Sequence, residues 1–318
     1  MNGRIALVLG ATGGIGGAVA RRLVAGGWRV RALSRQPERA MAAVTGIDAM
    51  AGDAFAADDV IAAAEGTALI VHAVNPPGYR DWDRFVLPMI DNSIAAATRN
   101  GARLLLPGTV YNYGPDAFPD IAEDAPQHPP TAKGRIRVEL ERRLAAMADT
   151  GAATALIVRA GDFFGPGAGN NWFGQGLVRP GGRPATVRDP GRSGIGHQWA
   201  YLPDVAETMV RLVERGGLDA FARFHMDGHW DPDGSGMTGA IVRVLGDPAV
   251  PVRPLPWWAM RLASPFVPPL RELLDMRYLW EWPVRLRNDR LVGVLGEEPR
   301  TPLDLAVRTT LAALGCIG

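Results

Sequence analysis

Sulfur chemistry is nearly absent: the 318-residue chain holds a single cysteine, Cys316. A disulfide framework and a cysteine zinc site are both excluded. A chain of this size without cystines fits a reducing compartment, so the expected location is cytoplasmic. No run approaches the ~18 apolar residues that a bilayer span needs. The apolar run at Ile5–Leu9 is too short for a signal-peptide core and leads straight into a glycine turn. Net charge is scarce as well, since 34 Lys+Arg against 33 Asp+Glu leave +1. The basic residues are mostly Arg and scattered, which implies no general pull on nucleic acid or a membrane surface. The expected partner is therefore a small molecule.

Apolar residues, by contrast, make up 47% of the chain, enough for one large α/β domain or two unequal lobes. Ile5–Leu9 reads as a buried parallel strand. Helical periodicity follows through Ile15, Val19 and Leu23 and ends at Gly26-Gly27. Further strands are expected at residues 28–35, just before Asp53, and at 68–74, 103–108 and 154–161. Helices are expected at 56–64, 85–99, 130–148 and 201–216. Strands alternating with helices predict a doubly wound parallel sheet. After Gly165 the chain turns loop-rich, and from Phe221 onward it carries most of its tryptophans and many prolines. We therefore expect a dinucleotide-binding domain from residues 1–165 and 199–220, and a smaller C-terminal substrate lobe from 166–198 and 221–318.

Five glycines crowd the stretch "GATGGIGGAV". Gly10, Gly13 and Gly16 form a G-x-x-G-x-x-G pattern between a strand and a helix, the context that makes such a motif meaningful. Glycine tightens the turn and lets a pyrophosphate approach amide N–H groups at a helix start; Thr12 can add a hydroxyl. An acidic residue at the end of the second strand would favour NAD. Ser34-Arg35 stands there instead, and a guanidinium pairs with a 2′-phosphate through a fixed fork. NADP(H) is the expected cofactor, with NAD(H) as the alternative. Asp53 can accept from the adenine amino group or act as a helix cap.

Several ordered motifs resemble the extended branch of the short-chain dehydrogenase/reductase superfamily, the NAD-dependent epimerase/dehydratase type. They are "GATGGIG", "GD" at Gly52-Asp53, "VHAV" at Val71–Val74, "GTVYNYG" at Gly108–Gly114, "VRAGDFFGPG" at Val158–Gly167, "YLPDVAET" at Tyr201–Thr208 and "LGEEPRTPL" at Leu295–Leu303. The resemblance covers nearly the whole chain. It implies a Rossmann fold and NAD(P) contacts from Ile15, Ala54, His72, Ala73 and Val74, with Phe163 flanking the nicotinamide.

The family's active site pairs a Ser or Thr with a later Tyr-x-x-x-Lys. Thr109 matches the hydroxyl residue. The Tyr-x-x-x-Lys pair is missing, because no tyrosine occurs between Tyr113 and Tyr201. Two overlays are open. One places Lys133 and Arg137 at the Tyr and Lys positions; the other places Thr131 and Arg135 there. At about 100° per residue, Ile136, Leu140, Leu144 and Met147 form one apolar stripe. Lys133 falls inside that stripe and Arg137 at its border, whereas Thr131 and Arg135 lie opposite. A catalytic pair must face the sheet and the cofactor, so Lys133 and Arg137 are preferred, with Lys133 also holding cofactor. Unperturbed lysine and tyrosine side chains titrate at about 10.4 and about 10, so an ammonium can replace a phenol as proton donor. Tyr113 is a second candidate acid.

These readings converge on an NADP(H)-dependent oxidoreductase acting on a small carbonyl, imine or enone. Two alternatives stand beside it: a catalytically silent NADP(H)-binding sensor or scaffold, and a nucleotide-sugar epimerase or dehydratase. His225 and His229 sit in strand-like sequence and would not converge on a metal. Trp257, Trp258, Trp280 and Trp282 could line an apolar pocket or serve the core. The resemblance leaves monomer and homodimer open.

Overall fold

The computed structural model describes residues 4–76, 81–169 and 171–318. In chain order it runs β1 (Ile5–Leu9), α1 (Gly14–Ala25), β2 (Arg29–Ser34), α2 (Pro37–Ala43), β3 (Ile47–Ala51), α3 (Ala57–Ala63), β4 (Leu69–His72), α4 (Trp82–Asn100), β5 (Arg103–Gly108) and the short β6 (Asp120–Ile121). It continues with α5 (Ala132–Asp149), β7 (Thr154–Arg159), β8 (Asp162–Phe164), β9 (Val187–Asp189), β10 (His197–Tyr201), α6 (Leu202–Arg215), β11 (Phe221–His225), β12 (His229–Asp231) and α7 (Gly236–Leu245). Short helices and two small strands lead to the last helix, Leu303–Ala313.

Seven parallel strands form the central sheet in the order β11-β7-β5-β4-β1-β2-β3. Their near-continuous apolar runs follow from burial on both faces. One face packs Val8, Val30, Val71 and Leu156 against Val19 and Leu23 of α1 and Val205 and Met209 of α6. The other packs Leu7, Leu9, Ile70, Leu104 and Ile157 against Ile90 of α4 and Leu140 and Leu144 of α5. The strand order reverses between β1 and β4, and ligands of such sheets bind outside the strand ends at that reversal. Gly10 and Ala73 occupy those ends.

The seventh strand corrects one expectation. Phe221–His225 pairs in parallel with β7, so the central sheet takes residues that the sequence reading assigned to the second lobe. A separate three-stranded sheet, β12-β10-β8, joins strands that the sequence reading split between its two domains. Its core gathers Phe164, Phe173, Trp199, Tyr201, Ile241, Trp280 and Leu311.

Candidate cofactor and active site

Gly10 holds the first turn at φ +90°, and a Cβ there would stand 2.4 Å from the Ala73 carbonyl oxygen. Gly16 is closer still: its Cβ would meet the Gly10 carbonyl oxygen at 2.2 Å. These two glycines press α1 onto the ends of β1 and β4. Gly13 differs. It is exposed, and a methyl group added there would find its nearest neighbour, the Gly10 carbonyl oxygen, at 3.3 Å. Gly13 caps α1 with no side-chain hydrogen bond, and the first turn has no acidic residue. Amide N–H groups at such an end favour an anion. Thr12 is exposed beside it, and Ile15 is half-buried against the core. The donor set fits a pyrophosphate.

At the far side of β2, Arg35 is exposed. The Ser34 hydroxyl accepts from the Gln36 N–H at 3.1 Å. Asp53 accepts from the Phe55 N–H at 3.1 Å, a local turn bond that leaves its second oxygen for other partners. The Ala54 carbonyl accepts from Asn92. Along β4 the expectations divide. Ala73 and Val74 are half-buried beside the glycine turn. The His72 side chain is buried, with Nδ1 2.8 Å from the Ser93 hydroxyl. Its ring therefore belongs to the sheet–α4 packing, and only its backbone can face a cofactor. Burial first, then the charge of Arg137, push its pKa down to about 3.

Thr109 follows β5. Its hydroxyl is buried and has no hydrogen-bond partner among the described residues. The turn after it, Val110–Asn112, packs on the start of α5, where Gly134 leaves no room for a Cβ: one would stand 2.3 Å from the Tyr111 carbonyl oxygen. Thr131 caps α5, its hydroxyl accepting from the Gly134 N–H at 3.1 Å. Arg135 is exposed, whereas Arg137 is buried. Lys133 and Arg137 lie over the same indole, with Lys133 Nζ 5.2 Å and Arg137 Cζ 5.0 Å from a Trp82 ring centroid. Arg137 also donates to Asn75 Oδ1 at 2.8 Å, three residues past the end of β4. Phe163 is half-buried against the first core layer. Lys133 is the only lysine in the chain.

Tyr113, the second candidate acid, lies in the interior. It is fully buried, its hydroxyl 3.1 Å from His225 Nε2. Burial raises the pKa of its phenol. Its neighbours form a network that sequence reasoning missed. Arg159, at the end of β7, donates to both Glu141 oxygens at 2.8 Å, to Asn112 Oδ1 at 3.0 Å, and to the Thr109 carbonyl. Its guanidinium lies 5.0 Å from the Tyr113 ring centroid. Burial works against the charge, yet Glu141 holds the guanidinium pKa above its usual value. Arg159 thus ties β7, α5 and the Thr109 turn together. An arginine closing the otherwise apolar "TALIVR" was the available signal. Trp82 and Asn75 were also missed, because their contacts cross long stretches of chain.

His225 and His229 are separated, one in this network and one in the second lobe. No group of His, Cys, Asp and Glu that could hold a metal occurs among the described residues. Trp280 is buried, whereas Trp258 and Trp282 are exposed.

Residues 10–148 match the family of NAD(P)H-binding domains. No curated protein matches the chain by sequence. Among solved structures, it is similar to MoeE5 in complex with UDP-glucose and NAD, at 18% identity over 98% of each chain with a TM-score of 0.74. It is also similar to UDP-glucose 4-epimerase from Thermotoga maritima, at 15% identity over 97% of this chain and 98% of that one, TM-score 0.75. A third is the Bordetella bronchiseptica enzyme WbmH in complex with NAD+, at 16% identity over 98% and 97%, TM-score 0.71. At these identities the likeness shows the shared fold. That fold is Rossmann-like, with its parallel central sheet. No helix among the described residues is long and apolar enough to cross a membrane.

Proposed function

We propose that the chain is an NADPH-dependent oxidoreductase that reduces a small carbonyl, imine or enone, with Lys133 as proton donor. The observation that carries this reading is the placement of Lys133 and Arg137 on one indole, at the α5 start that packs on the Thr109 turn. Gly10, Thr12, Gly13, Ile15 and Gly16 would hold the pyrophosphate, Ser34 and Arg35 the 2′-phosphate side, and Asp53 and Ala54 the adenine. Ala73 and Val74 would border the ribose, and Phe163 the nicotinamide. NADPH supplies a hydride when bound. Thr109 hydrogen-bonds the reacting oxygen and fixes the substrate. The Lys133 ammonium gives that oxygen a proton. Arg137, held by Asn75, contacts the ribose.

A second reading, nucleotide-sugar epimerase or dehydratase, is favoured by structural neighbours such as the Thermotoga UDP-glucose 4-epimerase. The absence of a tyrosine on α5 speaks against it.

The test is a screen of aldehydes, ketones, imines and enones for NADPH consumption. Trinitrobenzenesulfonate modification runs beside it, since the chain has only one lysine side chain. Turnover with a carbonyl and protection of Lys133 by NADPH are expected. Tight NADPH binding without turnover on any substrate would instead make the chain a sensor.

A further inference from the structure

The apolar side chains that the fold leaves in solvent are not evenly scattered. The three most exposed large ones among the described residues are Phe266, Trp258 and Leu262, at 86%, 71% and 69%. All three fall in the stretch "PWWAMRLASPFVPPLR". Two short helices carry it, α8 (Trp257–Ala263) and α9 (Pro268–Asp275). The backbone keeps its helical spacing into the turn between them, where the Val267 N–H donates to the Ala263 carbonyl at 3.1 Å. Trp258, Leu262 and Phe266 follow one another at i, i+4 and i+8, so they share a face. Val267 adds a fourth exposed apolar side chain.

The turn is held in place. Arg271 donates from Nε to the Ser264 carbonyl at 3.1 Å and from Nη2 to the Pro265 carbonyl at 3.0 Å. At the root, Trp257 Nε1 donates to the Pro190 carbonyl at 2.9 Å, and its ring packs on Trp172 with centroids 5.7 Å apart. Trp257 thus anchors the hairpin in the C-terminal core while Trp258 faces water. Single exposed apolar residues are ordinary, but a contiguous set beside charge marks a surface that meets something.

Charge identifies the partner. From Pro248 to Arg271 the chain carries Arg253, Arg261 and Arg271 and no acidic residue. All three arginines are exposed. The acidic residues that follow are Glu272, Asp275 and Glu281, the last paired with Arg277 at 3.0 Å. A chain-wide charge of +1 gives no general attraction, yet this turn is locally basic. An acidic protein surface would supply the opposite charge, but it would also need a pocket shaped to each protruding side chain. The boundary of an anionic bilayer sets phosphates above acyl chains and yields to any shape. Trp, Phe and Leu beside Arg are residues that settle there. No helix among the described residues is long and apolar enough to cross a membrane, so the turn would lie on the bilayer.

We propose that the α8–α9 turn docks the chain on an anionic lipid surface. Trp258, Leu262 and Phe266 enter below the headgroups, and Arg261 and Arg271 meet lipid phosphates. The docking stands apart from the reductase reading, because none of these residues belongs to the cofactor or Lys133 site.

The experiment floats the full chain on density gradients with vesicles of phosphatidylcholine alone, and of phosphatidylcholine with about one-third phosphatidylglycerol. Flotation with the anionic vesicles is expected, about tenfold or more weaker on the neutral ones and weakened by added salt. Phe266→Ser and Arg261→Glu should each lower binding to the anionic vesicles by about tenfold or more. Met41→Ser removes a 46% exposed apolar side chain on α2 and should leave binding unchanged. All three positions are exposed, so the melting curves of the variants should match the parent's. Absence of flotation overturns the proposal. So does equal binding to both kinds of vesicle, unchanged binding in Phe266→Ser, or an equal loss in Met41→Ser. A dimer in solution that Phe266→Ser dissociates, without flotation of the parent, would give the face to a second copy and overturn it as well.

Discussion

Two glycines of one motif should respond oppositely to the same methyl group. In Gly16→Ala the new Cβ would stand 2.2 Å from the Gly10 carbonyl oxygen, 2.8 Å from its carbon and 3.1 Å from Ala73 Cβ. The first two are backbone atoms in the turn between β1 and α1, so the helix must shift bodily. Overpacking costs roughly 1–3 kcal/mol, and a backbone clash belongs at the upper end. Replacing a helical glycine returns roughly 0.5–1 kcal/mol. The net expectation is a loss of about 2 kcal/mol of stability. In Gly13→Ala the nearest atom is 3.3 Å away, and φ −87°, ψ 169° suit any residue. Its stability should change by no more than about 1 kcal/mol either way, the lost glycine freedom in the unfolded chain offsetting a poorer helix cap. Its methyl, however, fills the space over the uncapped start of α1, so NADPH affinity should fall at least tenfold. Urea unfolding without cofactor and NADPH titration by fluorescence separate the two effects. Normal NADPH binding by Gly13→Ala, or parental stability of Gly16→Ala, would refute the assignment.

Arg35→Ala should narrow the preference for NADPH over NADH by about 1–3 kcal/mol, the range for hydrogen bonds to charged groups; equal affinities in the parent protein would remove the basis for that expectation. Glu141→Ala should lower stability by about 3–5 kcal/mol, because it strands the buried Arg159 charge; a urea midpoint close to the parent's would show that the pair is dispensable. Three buried histidines predict acid sensitivity. Burial and Arg137 push His72 down to about 3, burial and Arg300 push His229 down to about 4, and burial pushes His225 well below its usual value. All three stay neutral when folded but take a proton near about pH 6.5 when unfolded. Their contribution is complete above about pH 6.5 and is lost as pH falls toward the folded values, by up to about 1.4 kcal/mol per pH unit for each. Urea unfolding should therefore be level from about pH 7 to 8 and weaken steeply below about 6, and His72→Asn should flatten that slope. Stability that stays constant down to about pH 5 would contradict the burial argument.

The parallel sheet was legible because strands buried on both faces leave continuous apolar runs such as Ile5–Leu9 and Ala68–Val74. The turn between β1 and α1 was legible because only glycine allows the approach seen at Gly10 and Gly16. Helical phase distinguished an inward Arg137 from an outward Arg135, since both lie on one regular element. Local pattern carried no such information for β11. Five residues cannot show whether a strand joins the large sheet or the small one; the choice is made by α6, which carries the chain back across β7. The surroundings of Tyr113 were hidden for a related reason. Its motif pointed to the cleft, but His225 and Arg159, which bury it, arrive from distant chain.

Lys133→Met is the most direct test of the proton-donor role. Methionine keeps the apolar stem beside Trp82 and removes the ammonium. Once a reducible substrate is in hand, kcat and the NADPH dissociation constant are measured for parent and variant together. Proton donation by a placed group is typically worth about 10²–10⁴-fold. A loss of that order in kcat with unchanged NADPH affinity is expected. Undiminished kcat in Lys133→Met would contradict it.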